Sequence, residues 1–275
     1  MTSASTLRVM TFNVRGYYHP EDRDNEWVHR EALNVETIRD AAPHLIGMQE
    51  VQTGNVKAYQ RLLLQYHWLA WPEYGNQKPL EWPAMYWDRR AVTPLDSGGF
   101  WLSETPERYS VSWDTDCIRS AAWIKFRHDA TGGTVVHLNT HLDHISEQAR
   151  IEGSRLIVER LRDLQADGSA AIVTADFNAR PASPTHQLWL DAGFADAHLA
   201  AGHDDDPERT FTYHGWRGID FRRDGPAVRI DWILVRDGAS CRARIASCHI
   251  LRHARLPVYP SDHYPVVAEI ELQTT

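Results

Sequence analysis

Asparagine, glutamate, histidine and aspartate recur in this 275-residue chain wherever an apolar run ends. Asn13 closes "LRVMTFN", Glu50 closes "IGMQE", and His141 with Asp143 closes "VVHLNTHLDH". Asp176 and Asn178 follow "AIVTA", Asp231 interrupts "RIDWILV", and Asp262 with His263 precedes "YPVVAEIEL". Charge set beside strongly apolar runs is costly unless it is paired, hydrated or bound to metal. One such place is a surface turn or a satisfied histidine. The whole set has a common explanation if the strand ends converge into an acidic, imidazole-containing pocket suited to a hard divalent cation and a phosphate.

The chemistry then divides among named residues. Mg²⁺ or Mn²⁺ takes oxygen ligands and keeps several waters, so one or two carboxylates suffice: Glu50 first, then Asp262, with Asn13 adjacent. Phosphoester hydrolysis needs an in-line water, neutralised phosphoryl oxygens and help for the leaving group. Asp176 can orient or deprotonate the water. Asn178, on the same side of the chain, can donate to a phosphate oxygen. His263, protonated, can stabilise phosphate charge while Asp231 holds the imidazole as a triad aspartate does. His141 and Arg119 add donors to the phosphoryl group.

The elements that must position these groups are legible in outline. Strands are predicted at 7–16, 44–51, 67–71, 83–88, 118–128, 135–144, 170–179, 228–235 and 264–272. Helices are predicted over about 26–41, over 146–167 with Gly168 as the stop, and from Ser183 as N-cap to Gly193, with Pro184 at the first helical position. Many strands with only two long helices alternating cleanly among them argue for α/β architecture in packed sheets, not one fully parallel sheet. No linker rich in Pro, Gly or Ser divides the chain, so residues 1–275 read as one domain.

Bulk properties narrow the partners. With 29 Lys and Arg against 37 Asp and Glu, the net charge is −8, and no extended basic surface for duplex DNA is evident. No stretch approaches the roughly 18 apolar residues of a membrane span, and the amino-terminal segment lacks a secretory hydrophobic region, so a cytoplasmic location is expected. Cys117, Cys241 and Cys248 form no CxxC and suggest neither disulfides nor zinc, each reading as a small buried hydrophobe. The tryptophans crowded between Trp68 and Trp123 are read as core.

The ordered motifs resemble those of the endonuclease/exonuclease/phosphatase superfamily. "TFNVRG" carries Asn13, "IGMQEV" carries Glu50 and "NTHLDH" carries His141; "ADFNA" carries Asp176 and Asn178, "RIDWILV" Asp231, and "SDHYPV" Asp262 and His263. The resemblance implies a four-layer α/β sandwich of the DNase I type: two mostly antiparallel sheets face to face, flanked by helices, with the site at one edge. It also implies a Mg²⁺- or Mn²⁺-dependent phosphoesterase. Ala175 stands where the signature normally has glycine. "FWLSETPE", "SWD" and Arg119 are most similar to the deadenylase/nocturnin-like branch and its bacterial relatives, in which the arginine lies near the substrate phosphate.

The expected substrate is a small or short phosphorylated molecule: a nucleotide, sugar phosphate, lipid head group or short oligonucleotide. DNA or RNA nuclease activity is the alternative within the same chemistry, and a catalytically silent binding module is the rival from another class. "TFTYHGWRG" (210–218) reads as a pocket cover touching substrate through His214 or Trp216. The loop with Tyr74, Gly75 and Lys78, followed by Glu81, is a further specificity candidate. "HDDDPE" (203–208) reads as a solvated loop, and His249 and His253 as surface histidines.

Overall fold

Residues 6–71, 81–221 and 229–275 are described by the computed structural model. The chain runs β1 (Thr6–Asn13), α1 (Trp27–Ala41), β2 (Leu45–Val51), α2 (Thr53–Leu62), β3 (Tyr66–Ala70) and β4 (Trp82–Asp88). Then come β5 (Val92–Trp101), β6 (Ser120–His128), β7 (Thr134–His141), α3 (Glu147–Leu164), β8 (Ala170–Asp176) and α4 (Pro184–Asp191). The remaining elements are β9 (Ala195–Asp196), α5 (Ala197–Ala200), β10 (Asp231–Arg236), β11 (Cys241–Ile250) and β12 (Val266–Thr274).

These strands form two six-stranded sheets, ordered β11-β12-β1-β2-β4-β3 and β5-β6-β7-β8-β10-β9. Each has one parallel pair, β1 with β2 and β7 with β8. Those pairs are joined through α1 and α3, the two helices that alternate cleanly with strands, because a parallel return needs a long crossover. The other strand pairs are antiparallel.

Alternation along the strands builds the layers. Leu7 and Val9 of β1 pack with Ile172 of β8 and Ile233 of β10 between the sheets. Met10 and Phe12 of β1 face the other way, onto Ile38 of α1 and Tyr59 of α2. On the far sheet, Val136, Leu138 and Val173 meet Ile157 and Leu161 of α3 and Trp189 of α4. The result is helix, sheet, sheet, helix.

Ser183 caps α4 where the sequence puts it, accepting from His186 N, and Ser146 caps α3 by accepting from Ala149 N. α2, β5, the short β9 and α5, and β11 escaped the sequence reading. α2 begins with a Gln52/Asn55 capping box and carries Gly54 in its first turn. β5 contains Pro94, Gly98 and Gly99, which read as breakers, yet it is an edge strand, where proline is tolerated.

A buried polar clamp sets the two sheets against each other. Asn139 of β7 donates to Met48 O (2.8 Å) and Ala84 O (3.0 Å) on the facing sheet, and accepts from Gln49 Nε2 (2.7 Å). Thr174 Oγ1 also donates to Asn139 Oδ1 at 3.1 Å. Gly47 makes room for this approach, since a Cβ there would lie 1.9 Å from Thr174 Oγ1 and 2.5 Å from Asn139 Oδ1.

Candidate active site

One half of the site is a row across adjacent strands. His141 stands opposite Asp176 in the β7–β8 register, and Asp231 opposite Asp176 in the β8–β10 register. The pleat and register therefore bring an imidazole and two carboxylates side by side at one sheet end. Asn178, just past β8 with φ 47°, turns back so that its N–H reaches Asp176 Oδ1 at 2.9 Å. Its side-chain Nδ2 donates to Leu142 O (3.0 Å) and pairs with His141 Nε2 (2.9 Å). One amide hydrogen thus goes to Leu142 O and the other to His141, where the sequence reading had Asn178 donating to phosphate.

The other half comes from the facing sheet. The β2–β4 pairing shifts register between Met48 and Val51, and Glu50 sits there with φ 59°. A bulge with a left-handed glutamate breaks the strand alternation and re-aims that carboxylate, a costly conformation of the kind that persists at functional sites. Asn13 joins the halves by donating from Nδ2 to Glu50 Oε1 (2.8 Å) and to Asp176 Oδ2 (3.0 Å). Ser261 Oγ donates to Asn13 O at 2.7 Å and ties down the turn bearing Asp262 and His263.

His263 closes the arrangement. Its Nδ1 lies 2.9 Å from Asp231 Oδ2, and its Nε2 lies 3.8 Å from Asp176 Oδ2. The same Asp176 oxygen is 3.4 Å from His141 Nε2. Burial alone would lower the His263 imidazole, but Asp231, Asp176 and Asp262 together raise it to about 10, so it is cationic at neutral pH. Burial and the nearby Asp231 charge raise the Asp176 carboxyl. Burial, reinforced by the charge of Arg119, drives His141 well down and keeps it neutral.

Burial, together with the negative charges of Glu81 and Asp262, raises Glu50. This accumulation of buried carboxylate is an environment that a divalent cation would neutralise. Ligand atoms of Glu50, His141 and Asp176 all lie within 4.8 Å of one another. Asp262 lines the same cavity, with Arg15 Nε 4.0 Å from its Oδ2.

The cavity has a volume of about 1100 Å³, and Glu50, His141, Asp176, Asn178, Asp262 and His263 line it. Arg119 does too, its Nε buried without a partner. His214 and Trp216 lie outside the lining. The His214 ring is buried between Tyr259 (4.9 Å) and Tyr264 (4.1 Å), and the residue's backbone N–H donates to Asp262 O (2.9 Å). Trp216 Nε1 donates to Asp22 Oδ1 at 3.2 Å. The residue of this loop that does reach the cavity is Tyr213, whose ring lies 5.0 Å from that of His263.

Arg15, Tyr213, Arg150 and Arg180 line the cavity and were not singled out in sequence; only Arg15, two residues after Asn13, had a positional hint. Glu81 lines it as well, whereas Tyr74, Gly75 and Lys78 fall outside the described residues. "HDDDPE" is largely exposed, but Asp205 accepts from buried Arg229 Nε at 2.8 Å. Arg229 also pairs with buried Asp196 (2.8 Å), which anchors the start of β10 beside Asp231. His249 and His253 are exposed. None of the described tryptophans lines the cavity; Trp87 and Trp101 are core.

A twelve-stranded, helix-flanked sandwich with this convergent site defines a class, and comparison with known proteins agrees. Residues 10–263 match the Endonuclease/Exonuclease/phosphatase family, and the chain belongs to it. Among solved structures, it is similar to an endonuclease/exonuclease/phosphatase from Bacteroides vulgatus, with 29% identity, TM-score 0.85, and coverage of 98% of this chain and 100% of that one. It also resembles a Bacteroides thetaiotaomicron mannosyl-6-phosphatase at 24% identity and TM-score 0.85, covering 96% and 99% of the two chains. The human Nocturnin catalytic domain with bound sulfate is similar at 20% identity and TM-score 0.74, covering 98% and 94%. No curated protein sequence matches the chain. Among the described residues, no helix is long and apolar enough to cross a membrane.

Proposed function

We propose that the chain is a divalent-metal-dependent phosphoester hydrolase that directs water in line at a small or short phosphorylated substrate. The observation that carries this reading is the environment of one oxygen. Asp176 Oδ2 accepts from Asn13 at 3.0 Å and has the His141 and His263 imidazoles at 3.4 and 3.8 Å. A scaffold gains nothing from gathering these groups around one buried carboxylate.

Asp176, raised toward neutrality, is tuned to orient a water and take its proton, as a general base works best near the operating pH. His263, held cationic by Asp231, stabilises charge on the phosphoryl oxygens. Arg119 presents a guanidinium to the same cavity as a donor to the phosphoryl group, and neutral His141, whose Nε2 accepts from Asn178, stands beside Asp176 Oδ2. Glu50, with Asp262 beside it, supplies the oxygens that would hold Mg²⁺ or Mn²⁺, while Asn13, which turns Nδ2 to Glu50 and Asp176 and accepts from Arg15 N at Oδ1, positions the Glu50 carboxylate. When bound, the ion supplies Lewis-acid polarisation of the phosphoryl group.

At about 1100 Å³ the cavity is just above the size range of small-molecule sites, roughly 300–1,000 Å³, which favours a compact substrate over long duplex DNA. The likeness to a mannosyl-6-phosphatase makes sugar phosphates the first arm of a panel that also holds nucleotides, phosphodiesters, lipid head-group phosphates and short oligonucleotides. With Mg²⁺ or Mn²⁺, turnover of at least one compact phosphoester is expected, with Asp176→Asn as the control. Hydrolysis confined to oligonucleotides, with binding that weakens steeply as salt rises, would replace this reading with a nuclease. Inactivity across the panel, with metal bound, would favour a silent binding module.

A further inference from the structure

A second constellation at the mouth of the cavity has a different chemical character. Asp116 and Cys117 lie in the segment before β6, and His144 lies just after β7. The Cys117 thiol lies 3.5 Å from Asp116 Oδ2, and His144 Nε2 is 3.7 Å from the same oxygen. One ligand atom from each of the three residues lies within 4.8 Å of the other two. In a tetrahedral zinc site, bonds of about 2.0–2.3 Å put neighbouring ligand atoms about 3.3–3.6 Å apart. The two spacings to Asp116 Oδ2 are therefore close to those between ligands of one ion.

Asp143 pins both sides of this trio. Its Oδ2 accepts from Thr115 Oγ1 (2.7 Å), Asp116 N (3.0 Å) and Cys117 N (3.3 Å). Its Oδ1 accepts from Ile145 N (3.0 Å) and Ser146 N (2.7 Å), on the far side of His144. One buried carboxylate thus holds the Asp116–Cys117 segment against the turn carrying His144, so little chain ordering remains to oppose binding of an ion. Cys117 and His144 also line the cavity.

We propose that Asp116, Cys117 and His144 form a Zn²⁺ site, distinct from the oxygen-rich centre at Glu50, whose fourth position opens toward the cavity. Mixed sulfur, nitrogen and oxygen donors select a borderline-soft ion, while Mg²⁺ prefers oxygen alone, so the two sites sort metals by ligand type. Three protein ligands with one open position is the pattern of zinc sites that bind water or a substrate oxygen. Binding releases the Cys117 thiol proton to solvent and forms the sulfur–metal bond without any redox change.

The test uses Co²⁺ as a spectroscopic stand-in for Zn²⁺, on full-length protein held in excess Mg²⁺. A thiolate-to-cobalt charge-transfer band at one equivalent, bleached by Zn²⁺, is expected. Cys117→Ser should abolish the band, and His144→Ala and Asp116→Asn should each weaken apparent affinity by at least about 10-fold, the scale of metal-site losses. Thermal melts confirm that each variant is folded. Inorganic phosphate should perturb the cobalt spectrum by entering the open position. Absence of the band in the unmodified protein, or its survival in Cys117→Ser, would overturn the site, and indifference to phosphate would overturn its opening toward the cavity. The band reads the thiolate and not turnover, so this result stands apart from the phosphoesterase reading.

Discussion

The two sheets contribute unlike halves to one cavity. The half built on β7, β8 and β10 is a register row: His141, Asp176 and Asp231 sit opposite one another in ordinary strand pairing. The half built on β1 and β2 depends on irregular backbone, with Arg15 and Glu50 at positive φ and a register shift beside Glu50. The regular half holds its carboxylates against imidazoles and amides, an arrangement for moving protons and steadying phosphoryl charge. The irregular half concentrates carboxylate oxygens that a cation would neutralise. Left-handed backbone occurs in both halves, at Asn178 as well as at Arg15 and Glu50, but the register shift lies beside Glu50, in the half proposed to hold metal, and the two tasks should be separable by mutation.

The largest effects should come from the groups proposed to handle protons and charge, Asp176 at the end of β8 and His263 in the turn before β12 of the facing sheet. Asp176→Asn and His263→Ala should each lower turnover by about 10²-fold or more while keeping the fold, the scale of a lost acid/base or charge stabiliser. Steady-state kinetics with a melting curve checks both. Near wild-type rates in either variant would remove that residue from the chemistry.

Next is Asp231→Asn, which acts through His263. With Asp231 present, the imidazole stays protonated until pH approaches about 10. Activity that needs the cation should therefore persist through neutrality and fall at high pH. Without the carboxylate, the falling limb should move toward the ordinary histidine range near pH 6.5. An unmoved pH–rate profile would show that Asp231 does not set the charge of His263.

The clamp that holds the halves together predicts a smaller, purely structural effect. Gly47→Ala would force a methyl group against Thr174 and Asn139, so destabilisation of about 1–3 kcal/mol is expected, the range for overpacking a tight core. Chemical denaturation measures it. An unchanged midpoint would mean the sheets can part there at no cost.

The smallest effect is pH-dependent. Burial opposes ionisation of Asp143, but the Ser146 amide, the Thr115 hydroxyl and the Cys117 and Ile145 amides outweigh it and bring the carboxyl to about 2. Because its folded value lies below the ordinary carboxylate value of about 4, ionised Asp143 stabilises the fold fully above that pH. The contribution is lost as pH falls through about 2. Asp143→Asn should therefore be less stable by about 1–2 kcal/mol at pH 7, within the range for charge-assisted hydrogen bonds, and the gap should close in acid. A gap that does not vary with pH would contradict the ionic role.

Much of the catalytic set was legible because charge at the end of an apolar run is rare and carries its own cost, as at Asp176 after "AIVTA". The resemblance then placed those ends in one pocket. Sequence could not show which way a loop faces, so His214 and Trp216 were given to the pocket when Tyr213 is the residue that reaches it. Alternation made "VVHLNTH" look half polar, yet His137 and Asn139 are fully buried, with Asn139 spent on the facing sheet. Cys117 read as an inert small hydrophobe, because Asp116, Cys117 and His144 meet only through the pairing of β6 with β7. Position along one strand is local information, whereas the clamp and the mouth of the cavity are products of packing.

The most direct test of the division is turnover of a phosphoester substrate against Mg²⁺ concentration for the wild type, Glu50→Gln and Asp176→Asn, measured side by side. The account predicts that EDTA abolishes wild-type turnover and Mg²⁺ restores it. Glu50→Gln should need at least about 10-fold more Mg²⁺ to reach its plateau, whereas Asp176→Asn should lower the plateau itself. Metal-independent turnover, or the same change in both variants, would contradict it.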